Sequence, residues 1–281
     1  MSTNRGNSSL LNIIKTAIIE DLGKEGDITT IATIKPLQIT DFMISNREDC
    51  VLCGSDIIEL TFKQLDPSIK ISKNFNDGDF IKAGEILATG TGNARAILTL
   101  ERTMLNLLQH LSGIATNTRN FVNLVKHTKA IIRDTRKTLP NLRELQKYAV
   151  RTGGGENHRS TLDELILIKD NHIATCGSVT AAFNMAKSQY PNKIIEIECD
   201  TLEQVSEALL TKCDAILLDN MSISNLKDAV KMNNNSIKLE ASGGVGLHNV
   251  KEIAETGVDY IAIGSITHSV KAIDIGLDIN K

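Results

Sequence analysis

Residues 193–264 read KIIEIECDTLEQVSEALLTKCDAILLDNMSISNLKDAVKMNNNSIKLEASGGVGLHNVKEIAETGVDYIAIG. Four short apolar runs recur in this stretch: KIIEIE from Lys193, DAILLD from Asp214, IKLEAS from Ile237 and DYIAIG from Asp259. Their starts are 21, 23 and 22 residues apart. Residues 201–210, 222–231 and 247–256 lie between them and carry apolar side chains at helical spacing. A strand, a helix and the turns that join them take about that length, so the pattern predicts successive βα units and a parallel sheet covered by helices. Two earlier runs, AIIRD from Ala130 and LILIK from Leu165, bring the strands to six. The expected fold is α/β, a closed or nearly closed barrel of parallel strands.

Such barrels do their chemistry at the C-terminal ends of the strands. Those ends carry Asp134 to Lys137, Lys169 and Asp170, Glu196 and Glu198, Asp219 and Asn220, Glu240 and Ser242, and Gly264. From Arg133 to Arg159, seven Lys or Arg stand against three Asp or Glu, in a chain of net charge −3. Arg136 adjoins Lys137, His158 adjoins Arg159, and Gly153, Gly154 and Gly155 separate the two pairs. Cations converging beside a glycine turn suit an anionic small molecule, because arginine grips carboxylate or phosphate in a fork and lysine adds a point charge. The LRELQKYAV portion taken alone reads as a surface helix, with Leu142, Leu145, Ala149 and Val150 buried and Arg143 and Lys147 exposed.

Ser242-Gly243-Gly244 and Gly264-Ser265 follow the last two strands. Backbone amides in late barrel turns form a recurrent phosphate cradle. Glu198 and Asp219 end consecutive strands, and such a pair can hold ribose hydroxyls or a hydrated Mg2+ that bridges a diphosphate. It can also work as a general acid and base. The basic rim disfavours a glycosidase, and no His/Cys spacing supports zinc. Lys169 permits a Schiff-base reading, which the adjacent Asp170 works against by favouring the charged amine. His158 and His172 are candidate anion contacts or proton donors.

At 281 residues the chain can bury a substantial core. It has no Trp and 3% aromatics, which with a pI near 6.1 argues against a base-stacking nucleic-acid surface. No apolar run approaches the roughly 18 residues of a membrane span. The polar start MSTNRGNSSL does not read as a signal peptide. Five scattered cysteines, Cys50, Cys53, Cys176, Cys199 and Cys213, suggest reduced thiols and a cytoplasmic setting, with the lone CxxC read as two buried thiols on a strand. Before residue 93 the sequence predicts a helix capped at Ser8 or Ser9 and ended at Gly23, strands at ITDFMIS and CVLCG, and a helix capped at Ser55 and running to Leu65. A β-rich patch with glycine turns follows. Its DGDFIKAGEILATGTG run resembles a lipoyl-type carrier half-repeat, but Lys82 shows no sign of the hairpin tip such a carrier needs. A long helix begins at Asn93, with Gly113 ending or kinking it, and a second helix spans about 116–126. Arg102 beside Glu101 reads locally as an exposed ion pair.

Several motifs together are similar to the quinolinate phosphoribosyltransferase family. They are ERTMLNLLQHLSGIAT from Glu101, DTRKT from Asp134, KYAVRTGGGENHR to Arg159, LIKDNH to His172, EIE from Glu196, LLDN to Asn220, LEASGG to Gly244 and VDYIAIGSITHS to Ser269. The resemblance implies an incomplete α/β barrel of parallel strands, residues 116–270, with an N-terminal α/β sandwich domain, residues 1–115, on which the tail 271–281 packs. It implies that quinolinate and phosphoribosyl diphosphate give nicotinate mononucleotide, diphosphate and CO2 with Mg2+, in de novo NAD biosynthesis. It further implies a homodimer with shared active sites.

By the same resemblance, Arg136, His158 and Arg159 face the quinolinate carboxylates, with Thr135 and Lys169 nearby. Arg102 reaches the partner subunit's quinolinate, which replaces the ion-pair reading. Lys137, Lys169, Glu198 and Asp219 face phosphoribosyl diphosphate and are the catalytic set, and Mg2+ sits mainly on the diphosphate with Glu198 and Asp219 as further ligands. Ser242, Gly243 and Gly264 hold the phosphate, with Gly244, Ile263 and Ser265 beside them. The rival readings are a molybdenum-associated paralogue with another acceptor and a non-catalytic sensor of a phosphoribosyl metabolite.

Overall fold

The computed structural model describes residues 4–279, with side chains from Leu10 onward. It divides into two compact units, Met1–Asn117 with Leu139–Gly153 and Val270–Lys281, and Thr118–Thr138 with Gly154–Ser269.

The first unit starts with helices α1 (Asn4–Leu22) and α2 (Ile28–Thr33). Strands β1 (Ile39–Asn46) and β2 (Cys50–Val51), helix α3 (Ser55–Phe62), and strands β3 (Lys70–Lys73), β4 (Phe80–Ile81) and β5 (Ile86–Asn93) follow. Helix α4 (Ala94–Val125), which crosses the division between the units, helix α5 (Arg143–Thr152) and strand β12 (Ile275–Ile279) complete it. An antiparallel sheet runs in the order β12-β1-β5-β3, and β2 pairs separately with β4. Phe42 and Phe62, both fully buried, meet with ring centroids 5.2 Å apart.

Several expectations change here. Ser8 and Ser9 lie inside α1 rather than before it, and Gly54, not Ser55, caps α3, which ends at Phe62. Gly113 does not end α4, which runs on to Val125, and its bare Cα admits the segment around Lys271. A Cβ there would stand 2.3 Å from the Lys271 carbonyl oxygen. Lys82 does open a turn, closed by the Glu85 N–H on the Lys82 carbonyl at 3.2 Å. The strands on either side pair elsewhere, β4 with β2 and β5 with β1 and β3, so no carrier hairpin forms. Residues 139–153, assigned from sequence to the barrel domain, cluster with the first unit. Their helix buries Leu145, Ala149 and Val150, and Lys147 is 2% exposed where an exposed face was expected. Tyr148 fixes the helix by donating to Asp77 Oδ2 at 2.7 Å.

The second unit holds β6 (Ile131–Arg133), β7 (Ile166–Ile168), α6 (Asp170–Cys176), α7 (Val179–Gln189), β8 (Ile195–Cys199) and α8 (Leu202–Thr211). It continues with β9 (Ala215–Asp219), α9 (Ile223–Asn233), β10 (Lys238–Ser242), α10 (Val250–Glu255), β11 (Tyr260–Ala262) and α11 (Ser265–His268). All six strands are parallel, in the order β6-β11-β10-β9-β8-β7. The sheet stays open between β6 and β7, an incomplete barrel. Thr201 caps α8 in a reciprocal box with Gln204, and Ser222 caps α9 by accepting from the Asn225 N–H at 3.2 Å.

Side chains alternate sides along a strand, so Glu196 and Glu198 share one face of β8, as do Leu217 and Asp219 on β9 and Glu240 and Ser242 on β10. Parallel register sets Glu198 and Glu240 on either side of Leu217, and Ser242 opposite Asp219. Among the described residues no helix is long and apolar enough to cross a membrane.

Candidate active site

A cavity of about 340 Å³ opens in the second unit at the strand ends. It gathers Thr135, Arg136, Lys137, His158, Arg159, Lys169, Glu198, Asp219 and Ser242, nine of the residues singled out from sequence. Asp134, Leu167, Leu217, Glu240 and Ala262 complete the lining. Gly243, Gly244, Ile263, Gly264 and Ser265 are outside the lining but adjoin it in the chain, and Arg102 is exposed on α4 in the first unit.

The basic side is built by a loop strapped along β6. The Asp134 N–H donates to the Glu156 carbonyl at 3.2 Å, and the Glu156 N–H to the Ile132 carbonyl at 2.9 Å. Asp134, fully buried, accepts the His158 backbone N–H at 2.9 Å and the Asn157 side-chain amide at 2.5 Å. This one carboxylate therefore fixes the loop that carries His158 and Arg159. The Arg159 guanidinium donates to the Leu165 carbonyl at 3.0 Å. Burial, and then the nearby charge of Arg136, pull its pKa below the usual arginine value. Two arginines that repel each other at one wall make an anion welcome there.

On the opposite wall, the Lys169 ammonium pairs with Glu198 Oε2. An amine paired in this way, with a side chain 44% exposed, is not the desolvated lysine a Schiff base requires. His172 turns away, its Nδ1 accepting the Lys169 N–H at 2.9 Å, a local helix-start contact rather than an anion ligand. Asp219 Oδ2 accepts from the Asn220 side-chain amide at 2.7 Å. Asn220 itself is left-handed at φ 53°, with its N–H on the Ser242 carbonyl at 2.9 Å. Asp219, Asp200 and Asp170 form an acidic edge; burial, then Asp219 and Asp170, raise the Asp200 pKa. The Lys137 N–H donates to Thr135 Oγ1 at 3.0 Å, and the Lys137 carbonyl accepts from Thr267 Oγ1 at 2.8 Å.

The floor joins His158 to Glu196 and Glu240, which the sequence reading names only as strand ends. His158 Nε2 lies 2.7 Å from Glu196 Oε2 and 3.7 Å from Glu240 Oε1. Arg133 donates to Glu240 Oε2 at 3.1 Å and lies over the Tyr260 ring, 3.2 Å from its centroid. These residues stand on the cavity face, one or two positions below the rim, and the two-residue period of the strands is the signal that could have found them. His158, Glu196 and Glu240 are the one cluster with metal-ligand spacing among the described residues, but Arg133 already supplies Glu240 with its cation. The cysteines are free thiols, and burial raises Cys50 to about 11 and Cys213 to about 11, so neither is a ready nucleophile.

Comparisons with known proteins show the family of the chain. The C-terminal domain of quinolinate phosphoribosyl transferase matches residues 114–278, and its N-terminal domain matches residues 27–112. The chain belongs to the quinolinate phosphoribosyl transferase family. A nicotinate-nucleotide pyrophosphorylase [carboxylating] from Mycobacterium leprae is 44% identical over 271 residues, 95% of each chain. A probable enzyme of the same name from Methanocaldococcus jannaschii is 44% identical over 279 residues, 96% of each. The crystal structure of nicotinate-nucleotide pyrophosphorylase from Ehrlichia chaffeensis superposes with a TM-score of 0.94 at 46% identity and covers 100% of both chains.

Proposed function

We propose that this chain transfers the phosphoribosyl group of phosphoribosyl diphosphate to quinolinate with loss of CO2, giving nicotinate mononucleotide and diphosphate in de novo NAD biosynthesis. The observation that carries this reading is one cavity with Arg136 and Arg159 beside each other and Lys137 and Lys169 near the rim acids Glu198 and Asp219. A dianionic pyridine and a polyanionic sugar must meet there, and those cations offset the repulsion between them.

Arg136 and Arg159 are assigned to the quinolinate carboxylates, with Thr135 beside them. His158 is given a different part from the direct contact expected of it, because both its ring nitrogens have protein partners: Nε2 faces Glu196, and Nδ1 accepts the Arg159 N–H at 2.8 Å. Lys137 and Lys169 are assigned to the departing diphosphate, and Glu198 and Asp219 to the ribose hydroxyls. The backbone around Ser242, Gly243 and Gly244, and around Ile263, Gly264 and Ser265, is assigned to the phosphate. Glu198 and Asp219 are hard oxygen donors in one cavity and fit a hydrated Mg2+, which would neutralise charge on the diphosphate. As the C–O bond to diphosphate breaks, positive charge grows on the anomeric carbon and negative charge on the leaving group, where the lysines stand. Once the pyridine nitrogen is bonded to ribose it is cationic, and it stabilises the electron pair left on C2 when the 2-carboxylate departs as CO2; a proton from solvent then adds at C2 to give the product.

The deciding assay supplies Mg2+, phosphoribosyl diphosphate and quinolinate, and follows nicotinate mononucleotide and CO2, with nicotinate as a parallel acceptor. Turnover of quinolinate alone is expected. Turnover of nicotinate alone would remove the decarboxylation from the assignment. We further place the enzyme in the cytoplasm as a homodimer, with Arg102 serving the partner's site. Mixed dimers of Arg102→Ala with Arg159→Ala should then regain one intact site per dimer. No recovery after demonstrated subunit exchange would sink the shared site.

A further inference from the structure

The cavity that must accept a dianion has carboxyl groups in its floor. Glu196 is 2% exposed and Glu240 is 0% exposed, and among the described residues neither Glu196 Oε1 nor Glu240 Oε1 has a hydrogen-bond partner. Both acids approach the same imidazole nitrogen, His158 Nε2, at 2.7 and 3.7 Å. That nitrogen has one hydrogen to offer. The ring's other nitrogen accepts a backbone N–H, which places the single ring hydrogen on Nε2, toward Glu196. Arg133 is the cluster's permanent cation, seated on Glu240.

The groups that face Glu240 are Arg133 from β6, His158 from the loop and Glu196 from β8, while the residues in register on β9 and β11 are Leu217 and Tyr260. Arg133, the cation on Glu240, is shared with the half-exposed Glu156 at 3.5 Å, and the nearby charge of Arg159 acts on Glu196 rather than on Glu240. Arg133 together with one carboxylate is neutral. A second ionised carboxylate would leave Glu240 and Glu196 both charged and buried, with Arg133 in direct contact with Glu240 alone of the two and Arg159 acting on Glu196 only through space. Two acids this close and this buried do not both ionise at low cost.

We propose that Glu240 is held as the neutral acid, making it a positioning and specificity residue: its proton keeps the floor uncharged so that an anionic acceptor can enter. The titration behaviour agrees. Burial first, then Glu196, raise Glu240 to about 7 against the relief given by His158 and Arg133. Burial alone would lower His158, but its hydrogen bond to Glu196 and the charges of Glu240 and Glu196 outweigh that and raise it. The same excess proton can sit on either group, and the Arg159 N–H on Nδ1 favours Glu240 as its seat. When the proton leaves, the floor becomes negative whichever group released it.

This inference rests on the quinolinate reading of the cavity, and two measurements keep the two apart. Infrared difference spectra of the full-length protein between pH 6 and pH 8.5 need no substrate. They should show the carbonyl band of a protonated carboxyl that disappears on raising the pH and is missing from Glu240→Gln. No such band in the wild type overturns the proposal. Steady-state kinetics then read its consequence. The KM for quinolinate should rise roughly tenfold over that pH range in the wild type, as one buried charge appears nearby, and stay nearly flat in Glu240→Gln. The KM for phosphoribosyl diphosphate should change with pH alike in both. Parallel profiles for quinolinate in the two proteins would overturn the role of Glu240 in acceptor entry. Should Glu240→Gln fail to fold, calorimetry on the wild type in buffers of different ionisation enthalpy decides: quinolinate binding should take up protons at pH 8 and none at pH 6, and equal uptake at both would refute it. An intact infrared band without quinolinate turnover at any pH would instead sink the acceptor assignment, and the entry role with it.

Discussion

Glu198 and Glu240 are the same side chain on one sheet, with one strand between them and both in register with Leu217, yet they have different surroundings. Glu198 is itself 8% exposed but pairs with a lysine whose side chain is 44% exposed. Glu240 is sealed in and pairs with an arginine 20% exposed. At the mouth, water and ligand can compensate charge, so acids and bases can stand ready for exchange with substrate. In the floor the partners are fixed side chains, and protonation is the cheap way to settle an extra acid. The difference teaches that a charged side chain at a strand end declares its chemistry only once its depth is known.

The sharpest way to break this contrast is at the mouth. Lys169→Met should lower kcat by about 100- to 1,000-fold, the usual cost of removing one group that meets developing charge. It also leaves Glu198 without its cation. A loss of a few-fold or less would mean that Lys169 is only a surface partner of Glu198. Next in size, Arg136→Ala should weaken quinolinate binding by roughly 30- to 100-fold, as expected for one lost charge-assisted fork. Phosphoribosyl diphosphate binding should stay within a few-fold. Equal losses on both ligands by calorimetry would contradict the division of the cavity into an acceptor wall and a phosphate wall.

The floor should show itself in stability as well as in acceptor binding. Glu240 titrates near 7 in the folded chain and at 4.5 as an ordinary carboxyl, so between those values the folded state holds a proton that the unfolded state lacks. By linkage, the contribution of Glu240 to stability falls as pH rises from about 4.5 through about 7, and then levels off. Arg133→Met removes the cation that holds this value down, so the fall should continue to higher pH. The melting temperatures of wild type and Arg133→Met should therefore diverge from pH 6 to pH 8, with a loss of about 3 kcal/mol at the upper end, in the range for a broken buried pair. A constant gap across that range would show that Arg133 acts through packing on Tyr260 alone.

The parallel strands and their helices were legible because each βα unit repeats a local pattern, and Thr201 and Ser222 announce their helices chemically. The mouth residues were legible because strand ends are where such folds expose side chains. Depth was not. Lys147 reads as an exposed lysine on an amphipathic helix, yet is 2% exposed, because burial there is decided by what the helix packs on and not by its own period. Gly113 reads as a breaker, but the reason for it is a carbonyl from residue 271, far along the chain. Glu240 lies in LEASGG, where the glycines attract notice and the acid does not. Its character depends on Arg133, His158 and Glu196 from three other parts of the chain.

The smallest expected effect concerns two glycines next to the mouth. A Cβ on Gly243 would stand 2.2 Å from the Asn220 side-chain oxygen and 2.7 Å from the Asn220 backbone nitrogen, at a φ of 89° that disfavours any side chain. Asn220 in turn donates to Asp219, so Gly243→Ala should disturb a rim acid through rigid backbone. A Cβ on Gly264 meets instead Lys137 Cδ at 2.9 Å and the His268 ring at 3.2 Å, at an ordinary φ. The far part of a lysine can swing aside at small cost. Gly264→Ala should therefore raise the KM for phosphoribosyl diphosphate by only about 2- to 5-fold, roughly 1 kcal/mol or less, and leave the KM for quinolinate alone. If Gly264→Ala instead costs as much as Gly243→Ala, then Lys137 is not free to move, and the position of its ammonium is set as strictly as that of Asp219.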